Sequence, residues 1–207
     1  FTLGLNEMDP VTVAAAYATL GARGKYCKPM AITEIIDRYG RSTKFKPQCK
    51  QVVEPEVADA TTYILQGVFT KGTMAGVGGI GRDAAGKTGT GDVSRTAWFA
   101  GYTPDLAGAV SLGDPRGPVR YPLSGQVMGG RRYGSVYGAT IPGPIWKETF
   151  LEALKGVPPS SFVPPDMSRF GGCSKQCAPP PKKRDKDGRG DERGGRGGDR
   201  ERGRGPG

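Results

Sequence analysis

Residues Gly81 to Gly91 read GRDAAGKTGTG, with four glycines in eleven positions. The first eight letters fit G-x-x-x-x-G-K-[ST], the pattern of a phosphate-binding loop. Such a loop needs a buried strand before it and a helix directly after the Lys-Thr, because backbone N–H groups at the helix start hold the phosphate. Neither flank complies. "AGVGGIG" precedes the stretch, and Gly89 and Gly91 would fall in the first helical turn, where each costs about 1 kcal/mol relative to Ala. Asp114, at the end of "GAVSLGD", is a weak candidate for an acidic metal ligand and does not restore the nucleotide reading. The stretch is therefore confined to an extended strand. Its glycines let another body lie against the backbone, and Lys87, Thr88 and Thr90 supply a cation and two hydroxyls beside it.

The neighbouring segments are legible from spacing. Asp9 reads as an N-cap with Pro10 at the first helical position. Val13, Ala16, Tyr17 and Leu20 then form one apolar stripe, and Gly21 and Gly24 supply the stop. "AITEIIDRYGRSTKF" reads as two strands about a turn at Tyr39-Gly40. Pro55 opens a second helix whose buried face is expected to hold Val57, Thr61, Ile64, Leu65 and Val68, with Gly72 ending it. Three strands follow, at about Asp83 to Thr90, Thr96 to Tyr102 and Leu106 to Leu112. The last two join through Thr103-Pro104-Asp105 as an antiparallel hairpin. After a loop holding Gly129-Gly130, Pro142 and Pro144 start a final helix, with Ile145, Trp146, Thr149, Phe150 and Ala153 on one side.

Composition removes whole classes of chemistry. With no histidine in 207 residues, every imidazole mechanism is excluded, and proton transfer falls to Lys, Asp, Glu, Tyr, water or backbone. The four cysteines form two local pairs, Cys27 with Cys49 and Cys173 with Cys177, an arrangement suited to disulfides in an oxidising compartment and not to zinc. A Cys27–Cys49 bridge would contribute roughly 3 kcal/mol by restricting the unfolded chain. The formal charge of +10 is unevenly spread: from Ala178 onward ten Lys/Arg face six Asp/Glu. That segment has no large apolar side chain, so a disordered tail is expected. Without aromatics it does not read as a nucleic-acid binder, though an anionic wall polymer or membrane surface would suit it. No run reaches the roughly eighteen apolar residues of a membrane span. The sequence starts at Phe1 without a signal-like leader, so if the protein is exported or anchored, the anchor is expected upstream.

The chain from Phe1 to about Pro165 resembles the C-terminal half of a penicillin-binding protein transpeptidase domain, most closely the bifunctional, class A type. The stretches that carry the resemblance are "TLGLNEMDPVTVAAAYATLGARGKY", "VADATTYILQGVF", "GRDAAGKTGTG", "TAWFAGYTPDLAGAVSLGDP" and "PGPIWKETF", in that order. It implies an α+β fold, a partial antiparallel sheet flanked by helices, over residues 1–165, with a Pro/Gly/Arg-rich tail over 166–207. It further implies a D,D-transpeptidase at the extracytoplasmic face of the bacterial membrane. In that family a serine is acylated by the D-Ala-D-Ala end of a stem peptide, and β-lactams mimic that end. Lys87 would then place positive charge beside the reacting centre. Thr88 and Thr90 would bind the substrate carboxylate, the N–H of Thr90 would serve as an oxyanion donor, and Gly89 would keep the strand approachable. No cofactor or metal is implied. The family's S-x-x-K and S-x-N are absent: no serine has Lys three positions later, and Asn6 is the only asparagine. The strands that precede the nucleophile in the family should be missing as well, leaving one sheet edge open.

Overall fold

Asp9 begins the first helix as the spacing requires: its carboxylate accepts from the Thr12 N–H at 2.9 Å and the Thr12 hydroxyl at 2.6 Å. In the computed structural model, which describes residues 7–170, this helix, α1, runs Pro10–Gly21. It ends at the expected glycines, Gly21 and Gly24, but a non-glycine shares the turn. Arg23 itself takes a left-handed φ of 54°, followed by Gly24 at 84°. Arg23 is held there by a fork onto Asp59, with Nε and Nη2 at 3.0 and 2.8 Å from the two carboxylate oxygens.

Four short strands follow: β1 Lys25–Cys27, β2 Glu34–Ile36, β3 Ser42–Lys44 and β4 Cys49–Gln51. The β2–β3 hairpin lies where the sequence put it, with Ile35 opposite Thr43. The β1–β4 pair at its base was not anticipated. It sets Cys27 opposite Cys49, and the two form a disulfide. Cys173, Cys177 and the Gly/Arg tail lie outside the described residues.

Helix α2, Pro55–Thr70, is turned relative to the expected stripe. Its buried residues are Ala58, Asp59, Thr62 and Val68, while Ile64 is 74% exposed. Arg23 and Tyr102 draw Asp59 and Thr62 inward, and those polar contacts decide the rotation. The final helix, α3 Pro142–Ala153, shows a smaller shift of the same kind. Trp146 and Phe150 are buried as expected, but the ridge continues to Pro142 and Leu154 and leaves Ile145, Thr149 and Ala153 exposed. These are i, i+4 steps, which place side chains one above another on a helix.

The central sheet is β5 Ala85–Thr90, β6 Thr96–Tyr102 and β7 Ala107–Gly113, antiparallel and in that order. Alternation on β6 assigns its two faces. Phe99 meets α3 through Trp146, ring centroids 5.2 Å apart. Tyr102 points the other way, toward Tyr17 of α1 and the Thr62 hydroxyl of α2. Gly129-Gly130 proves to be the turn of a hairpin, β8 Ser124–Met128 with β9 Arg131–Ser135, where only a loop was expected. Past α3 the chain folds back beside the entry to β5. The Phe162 N–H donates to Asp83 at 3.0 Å and Ser160 to Asp105 at 2.7 Å. A short turn of helix, α4 Met167–Phe170, follows the boundary expected at Pro165.

Candidate functional site

Strand β5 carries Lys87, Thr88, Gly89 and Thr90, and it is the outermost strand on its side of the sheet. Its register against β6 sets Lys87 opposite Ala100, Thr88 opposite Phe99, Gly89 opposite Trp98 and Thr90 opposite Ala97. Paired residues share a face, so Thr88 and Thr90 lie on the α3 side with Phe99, and Lys87 on the side of α1 and Tyr102. The sequence treats the three as lining one cleft. The structure brings them together only at the outer rim of β5, where the two faces meet.

The backbone shows what that rim offers. The Gly91 N–H donates inward to Thr96 O at 2.9 Å. N–H groups alternate in direction along a strand, so the Thr90 N–H points outward, away from β6. An outward amide beside a hydroxyl and a glycine is a donor set for a carbonyl or carboxylate oxygen. A side chain at Gly89 would crowd its cross-strand partner: a Cβ there would sit 3.2 Å from the Trp98 Cβ.

The hydroxyls are not loose. The Thr88 and Thr73 Oγ1 atoms are 3.0 Å apart, and Thr90 Oγ1 accepts from the Gly138 N–H at 3.3 Å, keeping its own proton to donate. Gly138 can approach only because it lacks a side chain: a Cβ would stand 2.2 Å from Trp98 O and 2.9 Å from Gly89 O. Lys87 is exposed, and its ammonium donates to Thr88 O at 2.8 Å. Immediately beyond the strand, Asp92–Ser94 makes a 3-10 turn, with Ser94 buried at a left-handed φ of 55°. Thr73 and Gly138 are the supporting residues that sequence reasoning missed. Each lies far along the chain from β5, and neither belongs to a spacing pattern that points to it.

Known proteins resemble the chain as follows. A family profile described as the penicillin binding protein transpeptidase domain matches residues 1–128. Penicillin-binding protein 1A of Mycolicibacterium smegmatis is 33% identical over 192 residues, covering 86% of this chain and 23% of that protein. Penicillin-binding protein 1A of Neisseria meningitidis serogroup A is 37% identical over 161 residues, 74% of this chain and 19% of that protein. The chain thus spans about a quarter or less of the length of these curated relatives. The structure of the PonA1 protein from Mycobacterium tuberculosis in complex with penicillin V superposes with a TM-score of 0.67 at 32% identity, over 79% of this chain and 43% of that one. Penicillin-binding protein 1A from Haemophilus influenzae shares the fold, with a TM-score of 0.66 at 21% identity over 76% of this chain and 28% of that one.

Proposed function

Because the chain belongs to the penicillin-binding protein transpeptidase domain family, we propose that it is the K-T-G portion of a peptidoglycan D,D-transpeptidase that cross-links stem peptides and is acylated by β-lactams. The observation that carries this reading is the edge strand itself, with the outward Thr90 N–H flanked by Lys87 and the Thr90 hydroxyl. A stem peptide laid along β5 would extend the sheet by one strand. The Thr90 hydroxyl would donate to its terminal carboxylate, and the Thr90 N–H would steady the oxygen that gains charge as the acyl carbon becomes tetrahedral. Lys87, on the other face, supplies positive charge toward the nucleophile. That serine comes from outside this sequence, which has no S-x-x-K.

An extracytoplasmic location fits the Cys27–Cys49 disulfide, since such bridges persist in oxidising compartments. No helix among the described residues is long and apolar enough to cross a membrane. The missing S-x-x-K also favours a second reading, a non-catalytic module of the same fold. A fluorescent-penicillin gel separates the two. The 207-residue chain alone should show no covalent band, and the longer protein that contains it should show one. In that longer protein Lys87→Ala should lower the acylation rate by roughly 100-fold or more, the scale of losing an electrostatic group at the reacting centre. A longer protein that carries no band would establish the non-catalytic module.

A further inference from the structure

The turn that follows α2 brings Thr73 against β5, where its hydroxyl meets that of Thr88, 15 positions along the chain. The turn is fixed from beneath. Met74, the next residue, is fully buried in the core with Phe99 and Trp146. Its N–H donates to Val68 O at 2.9 Å, and a Cβ on Gly143 would collide with its sulfur. On one side of Met74 the Gly72 N–H donates to Gly67 O at 2.8 Å. On the other the Lys147 ammonium donates to Val77 O at 2.6 Å, which ties the turn to α3. Thr73 itself is exposed, as is Thr90, while Thr88 is half-buried. A buried anchor thus delivers a solvent-facing hydroxyl to the rim of the K-T-G strand.

Counting protons shows what that contact does. A threonine hydroxyl has one proton to donate and lone pairs with which to accept. At 3.0 Å, Thr73 and Thr88 share one hydrogen bond, so one of their two protons is used and the other is left to donate elsewhere. Thr90 accepts from the Gly138 N–H and keeps its own proton. No other hydrogen bond to these three hydroxyls is made among the described residues. Thr88 and Thr90 stand two positions apart on one face of the strand, so their side chains are neighbours. If Thr88 donated to Thr73, its proton would be turned off the strand. If Thr73 donates, Thr88 keeps its proton for a ligand on β5, and Thr88 and Thr90 together offer two O–H donors. An anion on the strand favours the second arrangement, and two donors match the two oxygens of a carboxylate.

We propose that Thr73 is a positioning residue: its hydroxyl donates to Thr88 Oγ1 and so turns the Thr88 proton toward the carboxylate of a ligand lying on β5. This assignment rests on β5 being a transpeptidase substrate strand, and it adds a residue that acts through Thr88 without touching the ligand. Its probes are benzylpenicillin and the methyl ester of benzylpenicillin, and its readout is the rate at which each acylates the longer protein, timed by mass spectrometry of the intact chain. The free acid should react faster than the ester. Thr73→Val, which keeps the branched shape and removes the hydroxyl, should narrow that preference by roughly fivefold, the scale of one hydrogen bond. Thr73→Ala should do the same, so that a folding defect in one variant does not decide the matter, and Thr73→Ser should restore the preference. In a Thr88→Val background, Thr73→Val should cost no further benzylpenicillin rate, because its route to the ligand is gone. This comparison decides the matter even where the ester reacts too slowly to time. An equal slowing of both probes, an unchanged preference, or a further loss in the Thr88→Val background would each overturn the role of Thr73 alone. No acylation of the wild-type longer protein by either probe would overturn the transpeptidase reading, and this assignment with it.

Discussion

Gly101 shows how narrowly some single residues are constrained. A Cβ at this position would lie 2.8 Å from Phe99 Cε1 and from two atoms of the Trp146 indole, whose N–H donates to Gly101 O at 3.2 Å. Gly101→Ala therefore overpacks the joint between α3 and the sheet and should cost about 1–3 kcal/mol. Urea unfolding should show a lower midpoint with an unchanged slope. Asp114 offers a pH test at the same scale. The side-chain hydrogen bonds from Arg116, then its backbone N–H, hold the Asp114 carboxyl at about 2 against an ordinary 3.8. A lowered folded-state pKa means that this contribution is present at neutral pH and declines as the pH falls below the ordinary value and through about 2. In an NMR titration Arg116→Ala should move the Asp114 midpoint up toward the ordinary value. An unmoved midpoint would mean that the fork onto Asp114 is not formed in solution.

At the scale of elements, the small β1–β4 ladder and its disulfide set the boundary of the β2–β3 arm. The two cysteines are separated by 22 positions, a loop whose closure is worth roughly 3 kcal/mol in the chain-entropy account. For a body of this size that corresponds to a drop of roughly 6–12 °C in Tm on reduction. Thermal unfolding with and without dithiothreitol measures it, and Cys27→Ser/Cys49→Ser should match the reduced protein. An unchanged Tm would place the unfolded-state effect near zero. Elements were the most legible level of the sequence. Asp9, Pro55 and Pro142 mark helix starts by local chemistry, and "TAWFAGY" declares a strand by its side chains. Helix rotation was not legible. Asp59 and Thr62 are polar, so a hydrophobic stripe cannot reveal that they face inward, and only their partners Arg23 and Tyr102 explain it. The β8–β9 hairpin escaped because its strands are short and "SGQVMGGRRYGS" has no alternating apolar pattern.

Across the whole molecule, the K-T-G strand was readable because its chemistry is contiguous in the chain. Its supports were not, since Thr73 and Gly138 reach it only through the fold. The far edge of the same sheet, β7, has no further strand beside it among the described residues. Open strand edges promote pairing between chains. The 207-residue chain should self-associate with rising concentration in sedimentation velocity, and Ser111→Lys, on the exposed side of β7, should shift it toward monomer. A chain that stays monomeric at all concentrations would show that the edge is covered. The arm beyond Cys27 and Cys49 has a practical use as well. Its two roots are only 4.0 Å apart between Cα atoms, so whatever is spliced between them enters and leaves at nearly one point. Residues 28–48 are thereby a natural cassette for transplantation: a reporter peptide or epitope of unrelated length could replace them without asking the K-T-G strand to move.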